Sequence, residues 1–114
     1  DLLVNTTPVG TAPHVDDTPV PGEALAGGAT VYDLVYNPAR TRLLRDAEAA
    51  GCRTIGGLDM LAAQAVRQFE WWLGTRPSAG LFLQAAREAL AARGGASRCT
   101  ETSEAAGGLK GARA

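Results

Sequence analysis

The chain has 114 residues, 46% of them hydrophobic and 20% charged, with a formal net charge of −1. That length suits one small domain, and so even a charge balance offers no electrostatic footprint for nucleic acid or an anionic membrane surface. No apolar run approaches the roughly 20 residues of a spanning helix, and no basic segment precedes an apolar one as in a signal peptide. Two cysteines, Cys52 and Cys99, and one histidine, His14, form no zinc pattern. A reduced, cytoplasmic protein without a structural disulfide fits that cysteine usage.

Residues 1–5 are an apolar run closed by Asn5, read as a buried strand. The chain thus opens directly in a strand, from which a piece of a longer protein is expected. Thr6-Thr7-Pro8-Val9-Gly10 is a turn, and prolines keep residues 11–22 irregular, with one helical turn expected at residues 23–25. Residues 30–35 are β-branched and aromatic, a second strand. Thr41 is placed to cap a helix carrying Leu43, Leu44, Ala47 and Ala50, with Gly51 at its left-handed end. Residues 52–55 form a third strand, and Gly56-Gly57 opens a helix. Its apolar stripe is read as Leu58, Leu61, Ala62, Ala65, Phe69, Trp72 and Leu73. Gly74 and Pro77 end it, and Ser78 can cap a last helix with Leu81, Phe82, Ala85, Ala89 and Leu90 inward. From residue 94 onward the apolar content falls too low to offset the entropy of ordering, so residues 94–114 are expected to be a disordered tail. Strand, loop, strand, helix, strand, helix, helix is an α/β layout, half of a doubly wound parallel sheet followed by two helices.

Three places could carry chemistry. The Asn5–Gly10 turn follows a strand, where open parallel sheets bind ligands, although an ordinary Asx-type turn explains it better when it is taken alone. Tyr36 leaves the same face as Leu34 at a strand tip, and a half-buried tyrosine with its hydroxyl in water is the plainer account. Gln64 flanks the apolar stripe beside Met60 and Gln68, where it can donate and accept toward a cleft or simply be solvated. Gly56-Gly57 could let a helix N-terminus approach a ligand or could be a tight turn. His14, Asp16 and Asp17 read as solvated surface, and Trp71 and Trp72 lack the basic stripe of a nucleic-acid stacking face.

Taken in order, Asn-Thr-Thr-x-x-Gly over residues 5–10, Tyr-Asp-x-x-Tyr-x-Pro-x-x-Thr-x-Leu-Leu over 32–44, and Gly-x-x-Met-Leu-x-x-Gln-x-x-x-x-Phe-x-x-Trp-x-Gly over 57–74 resemble the C-terminal half of the shikimate dehydrogenases. The resemblance covers residues 1–90. It implies a partial Rossmann-type fold. Residues 1–56 would be the C-terminal half of the NADP-binding domain, and residues 57–93 helices that return to the substrate domain. The implied activity is NADPH-dependent reduction of 3-dehydroshikimate to shikimate, in aromatic amino acid biosynthesis. Tyr36 and Gln64 would then touch substrate, and Thr6, Thr7, Leu34 and Gly57 the cofactor. The family's catalytic lysine and aspartate belong to an N-terminal domain. That domain would be the chain's main partner, and neither those residues nor a Gly-x-Gly-x-x-Gly turn is in this sequence. A homodimer is open, and no metal is implied. Alternatives are a quinate or aminoshikimate dehydrogenase, or a non-catalytic Rossmann-like binding module.

Overall fold

The computed structural model describes residues 1–104. Strands β1 (Leu2–Asn5), β2 (Thr30–Asp33) and β3 (Arg53–Ile55) form a parallel sheet in the order β1-β2-β3. The β1–β2 connection is the proline-rich stretch, which holds one 3-10 turn at Gly22–Ala24. Helix α1 (Arg42–Ala49) joins β2 to β3. The expected α/β layout is therefore present, with each element close to its sequence-read position.

β2 shows why these residues make a strand. Val31, Asp33 and Val35 are buried on one face and alternate with the half-buried Tyr32 and Leu34. α1 lays Leu43, Leu44 and Ala47 on the Val31 face, and Leu3, Val20, Leu25 and Cys52 close the edges of this cluster. Burying a leucine side chain contributes about 1.5–3 kcal/mol, so Leu43 and Leu44 are the largest contributors from the helix. Thr41 caps α1 by accepting from the Leu44 N–H, and Gly51 follows the helix at φ +76°, where a β-carbon would be strained.

Helix α2 (Gly57–Leu73) starts against the tip of β2 and ends at Gly74, φ +70°. Helix α3 (Ala79–Glu104) folds back along it. Phe69 and Phe82 meet edge to face near the turn, with centroids 5.9 Å apart. At the other end Leu58 and Leu61 line one hollow with Ala89 and Leu90, so the pair is antiparallel. α3 stays helical past Arg93 to Glu104, so the disorder expected from residue 94 onward is corrected for that stretch. Gly94 and Gly95 cost roughly 1 kcal/mol each in a helix interior, and no proline follows them to stop the helix. The expectation of disorder for 105–114 lies outside the described residues.

The sequence-read stripe of α2 is corrected in its second half. Leu58, Ala62 and Val66 are its buried apolar side chains, whereas Phe69, Trp72 and Leu73 are exposed, as is Trp71 at 85%. α3 covers α2 only as far as Phe69, and no other described element lies over its last turn. On α3, Leu81, Ala85 and Ala89 are exposed rather than inward, whereas Phe82 and Leu90 are partly buried as read, with Leu83 and Ala86 beside them. Among the described residues no helix is long and apolar enough to cross a membrane.

The buried polar cluster at the sheet's C-terminal edge holds these layers together. Asp33 is 0% exposed and accepts from Asn5 Nδ2 at 3.0 Å, the Val35 N–H at 3.0 Å and Thr41 Oγ1 at 2.6 Å. Thr41→Val keeps the volume while removing both the α1 cap and one donor to the carboxylate. We expect it to lower unfolding stability by about 2 kcal/mol, read as an earlier urea midpoint by far-ultraviolet circular dichroism.

Candidate functional site

β1 and β2 stop side by side, with Asn5 in register with Asp33. Beyond them the chain turns out of the sheet at both tips, and between the two exits lies a groove of about 410 Å3 lined by Thr6, Thr7, Thr11, Leu34, Tyr36, Asn37 and neighbours. Such a volume falls in the range of small-molecule sites, roughly 300–1,000 Å3, and its position matches the crevice outside parallel strand ends. Its lining is hydroxyl-rich, with one apolar wall at Leu34 and one cation, Arg93, brought in by α3. Tyr36 is 43% exposed and also borders a second hollow of about 240 Å3 with Leu58, Leu61 and Leu90, and Arg93 lines both hollows with it.

Thr6, Thr7, Leu34 and Tyr36 are thus brought together. Gly57 sits beneath them: a β-carbon there would lie 2.5 Å from both the Leu34 and the Val35 carbonyl oxygens. Only glycine lets the α2 N-terminus seat this closely on the strand tip. Gln64 stands apart. It is exposed on α2, one turn beyond Leu61, and does not line the groove.

A family model, Shikimate 5'-dehydrogenase C-terminal domain, matches residues 57–87, which are α2 and the start of α3. The shikimate dehydrogenase (NADP(+)) of Methanosarcina mazei is 46% identical over 92 residues, 81% of this chain and 33% of that protein. The enzyme of the same name from Moorella thermoacetica is 43% identical over 95 residues, 83% of this chain and 32% of its own length. Shikimate 5-dehydrogenase of Thermus thermophilus, solved with NADP(H) and shikimate, superposes with a TM-score of 0.73 at 41% identity, covering 77% of this chain and 33% of that one. Most of this chain is thus similar to the C-terminal part of shikimate dehydrogenases. It spans about a third of the length of the curated relatives it matches.

The groove of this chain is organised by Asn5 and Asp33. Both lie inside the motifs: Asn5 was read as the head of the Asn5–Gly10 turn, with Asx-type bonding as the plainer account, whereas Asp33 was given no role. The available signal was Asp33 itself: a charged residue in phase with Val31 and Val35 must either face the core or break the strand. Asn5 Oδ1 accepts from the Thr7 N–H at 3.0 Å and Thr7 Oγ1 at 2.7 Å, and Thr7 Oγ1 accepts in turn from the Val9 N–H at 3.3 Å. The groove rim is therefore tied to the buried carboxylate. Arg93 was also missed, because it lies beyond the motif-bearing residues. Among the described residues no three His, Cys, Asp or Glu side chains are grouped to hold a metal ion.

The Gly57 contact is testable. Gly57→Ala must push the α2 entrance off the β2 tip, and we expect a loss of about 1–3 kcal/mol in urea unfolding, since both clashing atoms are backbone. Gly56→Ala, whose β-carbon would meet ordinary contacts at 3.7 Å, should cost less than about 1 kcal/mol.

Proposed function

We propose that this chain is the C-terminal part of an NADP-dependent shikimate dehydrogenase, reducing 3-dehydroshikimate to shikimate with NADPH in the cytoplasm. The observation that carries the reading is the groove itself: Thr6, Thr7, Leu34 and Tyr36 converge at parallel strand ends, against the α2 entrance. The donor set fits a nicotinamide cofactor and a polyol. Leu34 offers an apolar wall for a flat ring, Thr6 and Thr7 offer hydroxyls to a ribose or carboxamide, and the Tyr36 hydroxyl can donate to or accept from a substrate hydroxyl. NADPH, when bound, supplies the hydride. The chain's own residues orient the two reactants and keep water from one side of the ring. Gly57 has the supporting role of bringing backbone close to the carboxamide, and Gln64 would meet substrate extending along α2.

Proton transfer must come from elsewhere. Among the described residues the groove lining has no carboxylate, histidine or lysine, and an arginine keeps its proton and cannot serve as the acid. A general acid is required for carbonyl reduction, so we assign it to the part of the enzyme that the relatives carry ahead of this region. The groove's second wall would come from the same part.

The 114-residue chain alone should give no turnover with shikimate and NADP. Joined behind the N-terminal two thirds of the Methanosarcina mazei enzyme, it should reduce 3-dehydroshikimate with NADPH. A joined protein that folds and stays inactive would overturn the assignment. In that joined protein Tyr36→Phe should raise the KM for substrate about tenfold, the worth of one lost hydrogen bond.

A further inference from the structure

The hydrogen bonds at the groove rim have a direction, and it runs from the core outward. Asp33 is fully buried, and a carboxylate can only accept. The Asn5 carboxamide must therefore turn its Nδ2 inward, to Asp33 at 3.0 Å and toward the Val9 carbonyl at 3.4 Å. Its Oδ1 is left facing Thr7. Carbonyl oxygens only accept: Asn5 Oδ1 takes the Thr7 N–H at 3.0 Å, and the Thr7 hydroxyl gives its single proton to the same oxygen at 2.7 Å. One of the two Thr7 Oγ1 lone pairs takes the Val9 N–H at 3.3 Å. The remaining lone pair is on an exposed residue that lines the groove.

We propose that Asp33 is a positioning residue that, through Asn5, fixes Thr7 as a hydrogen-bond acceptor, so that the ligand group seated at this rim is a donor, a hydroxyl or an amide N–H, and not an anionic oxygen. A phosphate or carboxylate placed against Thr7 would face a lone pair, and an unpaired acceptor facing a charge is penalised rather than merely unrewarded. The identity of the ligand rests on the dehydrogenase reading above. The polarity of the rim rests only on the hydrogen bonds.

The test uses the 114-residue chain, isotope-labelled, with backbone amides followed by NMR. Ribose probes a hydroxyl donor, nicotinamide an amide donor, and inorganic phosphate an anion. We expect ribose or nicotinamide to shift the Thr7 amide, and which of the two does so names the donor. Thr7→Ser should retain that response and Thr7→Val should weaken it about tenfold or more. The phosphate response should be the same in the parent chain and in Thr7→Val. Asn5→Ala frees the Thr7 hydroxyl to turn outward, so a Thr7 response to phosphate should appear in it, a gain that a purely structural role would not produce. Should that variant not fold, the Thr7→Ser and Thr7→Val pair decides. The inference is overturned by a phosphate response at Thr7 that Thr7→Val abolishes, by neutral probes binding Thr7→Val as well as the parent, or by neither neutral probe moving Thr7. Turnover of the joined enzyme enters none of these readouts, so failure of the dehydrogenase reading and failure of this inference appear in different experiments.

Discussion

The structure depends on one buried carboxylate. Asp33 lies where three elements meet: β1 supplies Asn5, the strand's own continuation supplies the Val35 N–H, and the cap of α1 supplies Thr41. Burying such a group uncompensated would cost several kcal/mol or more. With three donors in place, and no buried side-chain polar atom of the described residues left without a partner, the same group becomes a clamp. Geometry follows from it. The register of β1 on β2, the start of α1 and the loop after Asn5 cannot move independently without exposing an unpaired oxygen. Arg40 and Glu48, by contrast, pair on an exposed surface, where such contacts contribute little.

Much of this architecture was legible in the sequence because local rules and the fold agree. The Thr41 cap, the Gly51 exit and the Gly74 stop are each specified by one residue with one conformational use. The β2 alternation was legible for the same reason. The far end of α2 was not. Periodicity assigns Trp72 and Leu73 to the apolar stripe, but burial needs a neighbour, and α3 passes only as far as Phe69. Nor could spacing reveal that Val66, rather than Ala65, is the more deeply buried.

The candidate site divides along the same line. Thr6, Thr7, Leu34 and Tyr36 sit at strand exits, where a sequence pattern locates both the residue and the crevice. Arg93 reaches the groove only because two helices fold back on one another, a long-range event with no local mark. Gln64 is placed by its motif and stands exposed on α2. Asn5 and Asp33 were visible as motif letters, but their meaning is relational: a strand register of Asn5 on Asp33 turns two separate polar residues into one hydrogen-bonded unit.

Both of the chain's tryptophans, Trp71 and Trp72, lie on that uncovered last turn of α2, 85% and 71% exposed. Tryptophan emission is therefore silent about the sheet: the indoles are already in water when the chain is folded, and melting the Val31–Leu43 cluster changes little around them. The same placement makes them a built-in reporter of docking. Anything that settles on this end of the helix pair removes water from two adjacent indoles at once, and a blue-shifted emission would announce it without any label.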